Sequence, residues 1–554
     1  MARYRKSQRL GPVVRRLPSR DQPATLRNPR SLAVSPPRSI LTGIVFLTLA
    51  ALPSVASARV GPRCHTVEWR QLASQSSFAP PPANWRPSDV GHVDSDLYPL
   101  RIHYLRAGDA ERAESVILPI AEESWRIEVE EMGWPAPPSD GTLGGDSRYD
   151  MYMTNDGTYG GAYTYGSGGD TNPRDGWYSL ASYIALDQGG ISDADMPDFI
   201  SHEFNHALQY TIDGHEITGF VWESTAEAME ELVYPETDLY QLDIVDFQEL
   251  PFASLLFDGY SDEVMAYDDY SYYEYGGSIV GLYIEQRFGT SDGTKLLELW
   301  EALAQGDGSN EPDYVDALDT VGGDVMPDHG ALYLDFAAWR MFAGPYDDGA
   351  HFHEGGEWGR EGIVALEDSA NLTDLDGATL RPNDPPYDLG TSYWLFEVDE
   401  GSTKTLRLEL TSADAIEWGL VASAWLGAGP ARVVQARGGT EGAPVTLDLD
   451  LTGATRVMIG GAALGRIDMD AEGRHDRRDF TINATFVDGG PDDTGDTGAG
   501  DTGDTDGVDS GGPAGEKGEG RTGCGCAADP SSAVGGLALL LAAATGAARR
   551  RSRG

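Results

Sequence analysis

The chain has 554 residues, too many for one hydrophobic core, and the rough rule of about 150 residues per domain suggests two or three folded units. Lys and Arg total 40 against 89 Asp and Glu, a formal charge of -49. A surface that acidic repels phosphate backbones, which argues against nucleic acid as a partner.

Residues 1–58 read as an export leader. Ten basic residues from Arg3 to Arg38 precede the apolar run ILTGIVFLTLAALPSVASA, which closes on Ala56-Ser57-Ala58, so cleavage is expected after Ala58. The basic stretch is long for such a signal, which allows a true start downstream of Met1. Residues 59–95 form an N-terminal extension with Cys64, the one cysteine between leader and tail. The folded part therefore has no internal disulfide although export would permit one, and packing or a bound metal must stabilise it.

Residues 96–385 mix amphipathic helices, aromatic-rich loops and short strands. Ile117, Ile120, Trp125, Val129 and Met132 suit a long buried helix that Pro119 should kink or delay. Further on stands DFISHEFNHALQYTIDGHEITGFVWESTAEAMEEL, residues 198–232. Asp195 as N-cap, Pro197 in the first turn, an apolar face of Ile200, Phe204, Ala207 and Leu208, and Asp213-Gly214 as a stop predict a helix over 196–211. Positions i and i+4 share a helix face, so His202 and His206 can aim both imidazoles at one zinc ion, with Glu203 close enough to act on a coordinated water. A catalytic zinc takes three protein ligands and one open position. His215, Glu223 and Glu227 are the downstream candidates for the third; the metzincin spacing is disfavoured because Gln209 and Ile212 occupy its Gly and His places. GFVWESTAEAMEELVYP reads as a second helix, with Trp222, Ala226, Met229 and Val233 as its buried stripe and Glu223, Glu227 and Glu230 as an adjacent acidic one.

HEFNHALQY followed by WESTAEAMEE resembles the gluzincin zinc metallopeptidases, and more closely a group of poorly characterised secreted bacterial metalloproteases with HEFxHxxQ and then an EGTA-like motif, here Glu223-Ser224-Thr225-Ala226. The resemblance covers roughly residues 96–300 and is specific only from His202 to Glu223. It implies an α+β zincin-like catalytic domain and places the third ligand on Glu223, seventeen residues after His206, with Glu227 in reserve. LRIHYLRAGDAE, AEESWRIEVEEMGWP and RYDMYMTN look like the strand, helix and strand that open such domains. SYIALDQG would be the edge strand that pairs with an extended substrate, and YEYGGSIVGLYIEQRFG a helical segment after the site. The implied activity is hydrolysis of peptide bonds in a protein or peptide substrate, with one zinc ion and Glu203 as general base. Tyr275 and His215 are the candidate donors to the developing oxyanion. The alternative is a surface adhesin or binding protein on the same scaffold, its metal structural or lost. Calcium is weakly indicated, because Asp268-Asp269 and the Asp-rich spacer fit no defined loop.

From 386 to 487 the pattern alternates. KTLRLELT, VTLDLDL and DFTINATF each place apolar residues on one face, which predicts an all-β sandwich that binds or positions substrate or spaces the catalytic domain from the surface. Residues 488–523, rich in Asp, Thr and Gly, read as a disordered acidic linker. The Asp-Thr-Gly repeats there are compositional rather than an aspartic-protease site. Residues 524–554 carry Cys524-Gly525-Cys526, a short apolar run from Ala533 to Ala548, and Arg549, Arg550, Arg551 and Arg553. This end resembles myxobacterial C-terminal sorting tails. That implies recognition by export and sorting machinery, anchoring at Cys524 or Cys526, and membrane contact only through the tail of a protein displayed on the outer cell surface.

Overall fold

A five-stranded sheet supports the first half of the computed structural model, in the order β1-β2-β3-β5-β4, where β1 is Gly91–Asp94, β2 Leu100–Tyr104, β3 Tyr149–Thr154, β4 Ala162–Asp170 and β5 Leu180–Asp187. The structure describes Cys64, Thr66 and residues 86–487 apart from short internal stretches. The leader, acidic linker and tail with Cys524 and Cys526 lie outside the described residues, as do Asp268 and Asp269. Among the described residues, no helix is long and apolar enough to cross a membrane.

Strands β2, β3 and β5 are parallel, and β1 and β4 run antiparallel along the two edges. The parallel step from β2 to β3 needs a crossover, which a helical run over residues 110–131 provides. That run passes through two wider π stretches, Ala113–Ile117 and Trp125–Glu131. The first lies where the Pro119 ring would otherwise meet the carbonyl four residues back, so the proline neither ends nor delays the helix.

SYIALDQG, expected at the edge, is β5 and lies inside the sheet. Seven of its eight strand residues are buried, as befits a strand covered on both faces. The edge belongs to β4, whose glycine-bearing AYTYGSGGD has no apolar period to reveal it.

The histidine helix spans Met196–Ile212 and the glutamate helix Gly219–Val233; the two pack against each other, and the histidine helix lies beneath β4 and β5. Asp195 does not cap the first with its side chain, which instead accepts a hydrogen bond from Ser192 Oγ at 2.8 Å. Both helices are buried almost all round, acidic residues included. Tyr273–Gly276 and Ser278–Phe288 are helical, as their sequence suggested.

The second half is β-rich. One sheet has the order β11-β10-β13-β8-β6 and the other β12-β9-β14-β7, built from β6 Asp368–Asn371, β7 Ala378–Leu380, β8 Gly390–Glu397, β9 Thr405–Ser412, β10 Trp418–Leu426, β11 Arg432–Gly438, β12 Val445–Asp450, β13 Ala454–Ala463 and β14 Phe480–Val487. In the outer sheet Leu408 stands between Leu447 and Ala484, and Leu410 between Val445 and Ile482. These residues form an apolar core with Trp394, Phe396, Leu420 and Ile459 of the facing sheet. Alternate residues of that facing sheet, Tyr393, Leu395, Val421 and Met458, belong to the core of the helical half. The α+β and β-rich halves therefore share one continuous interior, with Tyr393 Oη donating to the Ala337 carbonyl at 2.9 Å and Trp425 Nε1 to the Tyr346 carbonyl at 2.7 Å.

Candidate metal centre

One turn of helix separates His202 from His206, and their rings meet at right angles with centroids 4.8 Å apart. Glu223 comes across from the neighbouring helix, its Oε2 3.1 Å from His202 Nε2 and 3.3 Å from His206 Nε2. A fourth donor joins them from far away in the chain. Cys64 Sγ lies 3.3 Å from His206 Nε2 and 3.7 Å from Glu223 Oε1, 142 residues before that histidine. All four side chains are buried, and their donor atoms lie within 4.8 Å of one another.

Ligands on a tetrahedral zinc, with bonds of about 2.0–2.3 Å, stand about 3.3–3.7 Å apart. The observed separations follow that figure closely, so the donor set fits such an ion. Charge points the same way. Burial alone would raise Glu223, yet His206 and His202 hold its carboxyl well below the ordinary carboxylate range. Burial, Glu203 and Glu223 together push the Cys64 thiol well above its ordinary value. Burial disfavours a charged His202, but the neighbouring Cys64, Glu223 and Glu227 pull it well above the usual imidazole range. A buried thiol and a buried carboxylate thus face two imidazoles, a donor set whose charge a divalent cation would balance.

The second ring nitrogens are also engaged. His206 Nδ1 lies 2.7 Å from Gln209 Oε1, and because a carboxamide oxygen only accepts, the imidazole must carry its proton there and present Nε2 to the centre. Gln209 Nε2 donates in turn to Asn205 Oδ1 at 2.9 Å and Thr225 Oγ1 at 3.0 Å. His202 Nδ1 is 3.0 Å from Glu230 Oε1 and 3.2 Å from Glu227 Oε2. Glu227, the reserve ligand, therefore sits against the far nitrogen of His202 and orients that ring, while Glu223 faces the centre. Partners of this kind typically change metal affinity about 10–100-fold. Gln209→Leu should weaken metal binding by about that factor, read by competition against a chromogenic chelator.

Glu203 is fully buried and does not join the ligands. Its Oε2 accepts from Thr66 Oγ1 at 3.2 Å and lies 2.8 Å from Thr164 Oγ1, while Oε1 has no hydrogen-bond partner. An unpaired buried carboxylate oxygen costs about 1–3 kcal/mol, more when charged. Tyr275 stacks its ring on His202, centroids 6.0 Å apart, and its hydroxyl donates to the Cys64 carbonyl at 2.9 Å. His215 packs against the Tyr178 ring and does not join the cluster. Cys64 and Thr66 are members that sequence reasoning missed, and Gln209, the last residue of HEFxHxxQ, was given no role there. Only the solitary place of Cys64 between leader and tail, and the third-residue spacing of Gln209 after His206, could have pointed to them.

Two other groupings differ in kind. His103 spends both ring nitrogens on Asp89 and Asp150, at 2.8 and 2.9 Å, and although burial opposes the charge those carboxylates raise its pKa, so it is a closed ion network. Glu231, Asp238 and Glu354 converge near the surface, where burial, Glu354 and Asp238 push Glu231 up to about 8. An acid raised above its unfolded value of about 4.3 stabilises the fold at low pH and loses that contribution as pH rises toward 8. Glu231→Gln should flatten the fall in denaturation midpoint between pH 5 and pH 8, seen by chemical unfolding at both.

No known protein family matches the chain, and no curated protein matches it. Solved structures give faint likenesses. One is the pre-peptidase C-terminal domain of a collagenase from Bacillus anthracis, 9% identical over 22% of this chain and 97% of that one, with a TM-score of 0.15. Another is CorA, a surface-associated copper-binding protein of Methylomicrobium album BG8, 8% identical over 22% of this chain and 99% of that one, with a TM-score of 0.16. At those scores neither carries weight for fold or function.

Proposed function

We propose that the chain is a zinc-dependent metalloendopeptidase on a zincin-like, gluzincin-type scaffold, exported and held at the outer cell surface. The observation that carries this reading is Glu223 Oε2 lying 3.1 Å from His202 Nε2 and 3.3 Å from His206 Nε2, beside a buried, non-ligating Glu203. Zinc in such a set supplies Lewis acidity and lowers the pKa of a coordinated water to about 7. Around it, Thr66 and Thr164 fix Glu203 Oε2, which leaves Oε1 to take a proton and return it to the leaving amine. The Tyr275 hydroxyl, already bonded to a peptide carbonyl, is the donor suited to a carbonyl gaining negative charge. An extended peptide would pair with the outer side of β4, the side on which Cys64 bridges to Ala162.

A second reading, a binding protein with a structural metal, is favoured by Cys64, because four protein ligands close a zinc site as structural sites are closed. Metal analysis of the purified protein, followed by a peptide-library assay with and without chelator, separates the two. The peptidase reading expects about one zinc per chain and cleavage that chelator stops and zinc restores. Zinc without cleavage under any activating condition would leave the binding reading.

A further inference from the structure

Cys64 is held by groups that a structural metal site has no use for. Its carbonyl takes the Tyr275 hydroxyl, and Thr66, two residues on, donates to Glu203 and accepts from the Thr164 backbone N–H at 2.9 Å. The backbone at Cys64 bridges in parallel to Ala162 of β4, the edge where an extended substrate would lie. Cys64 and Thr66 thus engage the base, the carbonyl donor, the substrate edge and the metal-ligating cluster together. It lies only six residues beyond the leader cleavage expected after Ala58, near the new N-terminus of the exported chain. A site built only to hold metal has no reason to keep a buried Glu203 with one oxygen unpaired.

Resting on the metallopeptidase reading above, we infer that Cys64 is the fourth protein ligand of the metal and that, so bound, it keeps the exported chain latent. Withdrawing Cys64 exchanges a sulfur ligand for a solvent molecule. No electrons are transferred, and the departing thiolate takes one proton from solvent. Latency of this kind also explains how four ligands and an intact base coexist.

The test replaces zinc by Co²⁺ in the full chain and in Cys64→Ser, with Cys524 and Cys526 present in both. The wild-type protein should show a sulfur-to-cobalt charge-transfer band in the near ultraviolet. Its Cys64 should resist iodoacetamide, mapped by mass spectrometry, until chelator is added. Cys64→Ser should still bind one cobalt, lose the band and, with zinc, cleave a quenched peptide library at least tenfold faster than wild type. If the serine variant does not fold, protection of Cys64 in the wild-type protein decides the ligand question, and Cys64→Ala the activity question. Cobalt bound without the band, or Cys64 alkylated equally with and without metal, overturns the ligand and leaves the peptidase reading standing. A band with no gain in cleavage on substitution overturns the latency. Failure of both proteins to bind cobalt removes the metal centre itself.

Discussion

On the proposed peptidase reading, Glu203→Gln is expected to lower the rate of peptide cleavage by about 10²–10⁴, the usual worth of a positioned general base, while the metal content stays that of the unsubstituted protein. Glu203 is outside the ligand set, so the amide leaves His202, His206 and Glu223 untouched. Thr66 and Thr164 can still bond to the amide oxygen, so the side chain should keep its place. Only the capacity to accept a proton is lost. The assay belongs in whichever preparation cleaves peptide, compared with its unsubstituted parent by kcat/KM and by metal analysis. Retained cleavage would remove Glu203 from the chemistry, and loss of zinc with activity would make the result one about folding.

Removing the metal should cost the fold about 4 kcal/mol when free zinc stands a thousandfold above its Kd, by simple linkage. The reason is local. His202, His206, Glu223, Glu227, Glu230 and Cys64 are each at most 3% exposed, and burial, then Glu227, pushes the Glu230 carboxyl well up. Without a cation these groups must satisfy one another by shifting protons. Denaturant unfolding with and without chelator measures the difference, and His206→Ala should unfold at the same denaturant concentration whether or not zinc is added. Coincident curves for the unsubstituted protein would mean that the centre holds no metal worth the name.

Helical spacing made part of this site readable in advance. His202, Glu203 and His206 needed only the i, i+4 rule, and the glutamate helix declared itself through Trp222, Ala226, Met229 and Val233. The outer sheet was equally legible, since β9, β12 and β14 bury one face and alternate. Strands β8 and β10 were not, because residues on both of their faces are buried and no period survives. Glu227, held in reserve as a ligand, and Glu230, read only as part of an acidic stripe, lie inside against the far nitrogen of a histidine ring, which helix spacing does not reveal. Cys64 was beyond any local pattern. Its partners are 142 and 159 residues away, and only the folded chain brings them to it.

The two-faced sheet also bears on how this molecule could have been assembled or divided. Tyr393, Leu395, Val421 and Met458 are the floor on which the helices around Leu332–Phe342 rest. Cut away at Asp368, that floor would leave Leu334, Phe336 and Ala337 bare to solvent, an adhesive surface on an otherwise strongly acidic particle. The β-rich layer is thus a roof beam rather than an annex: neither recombination nor a protease could detach it and leave the remainder soluble.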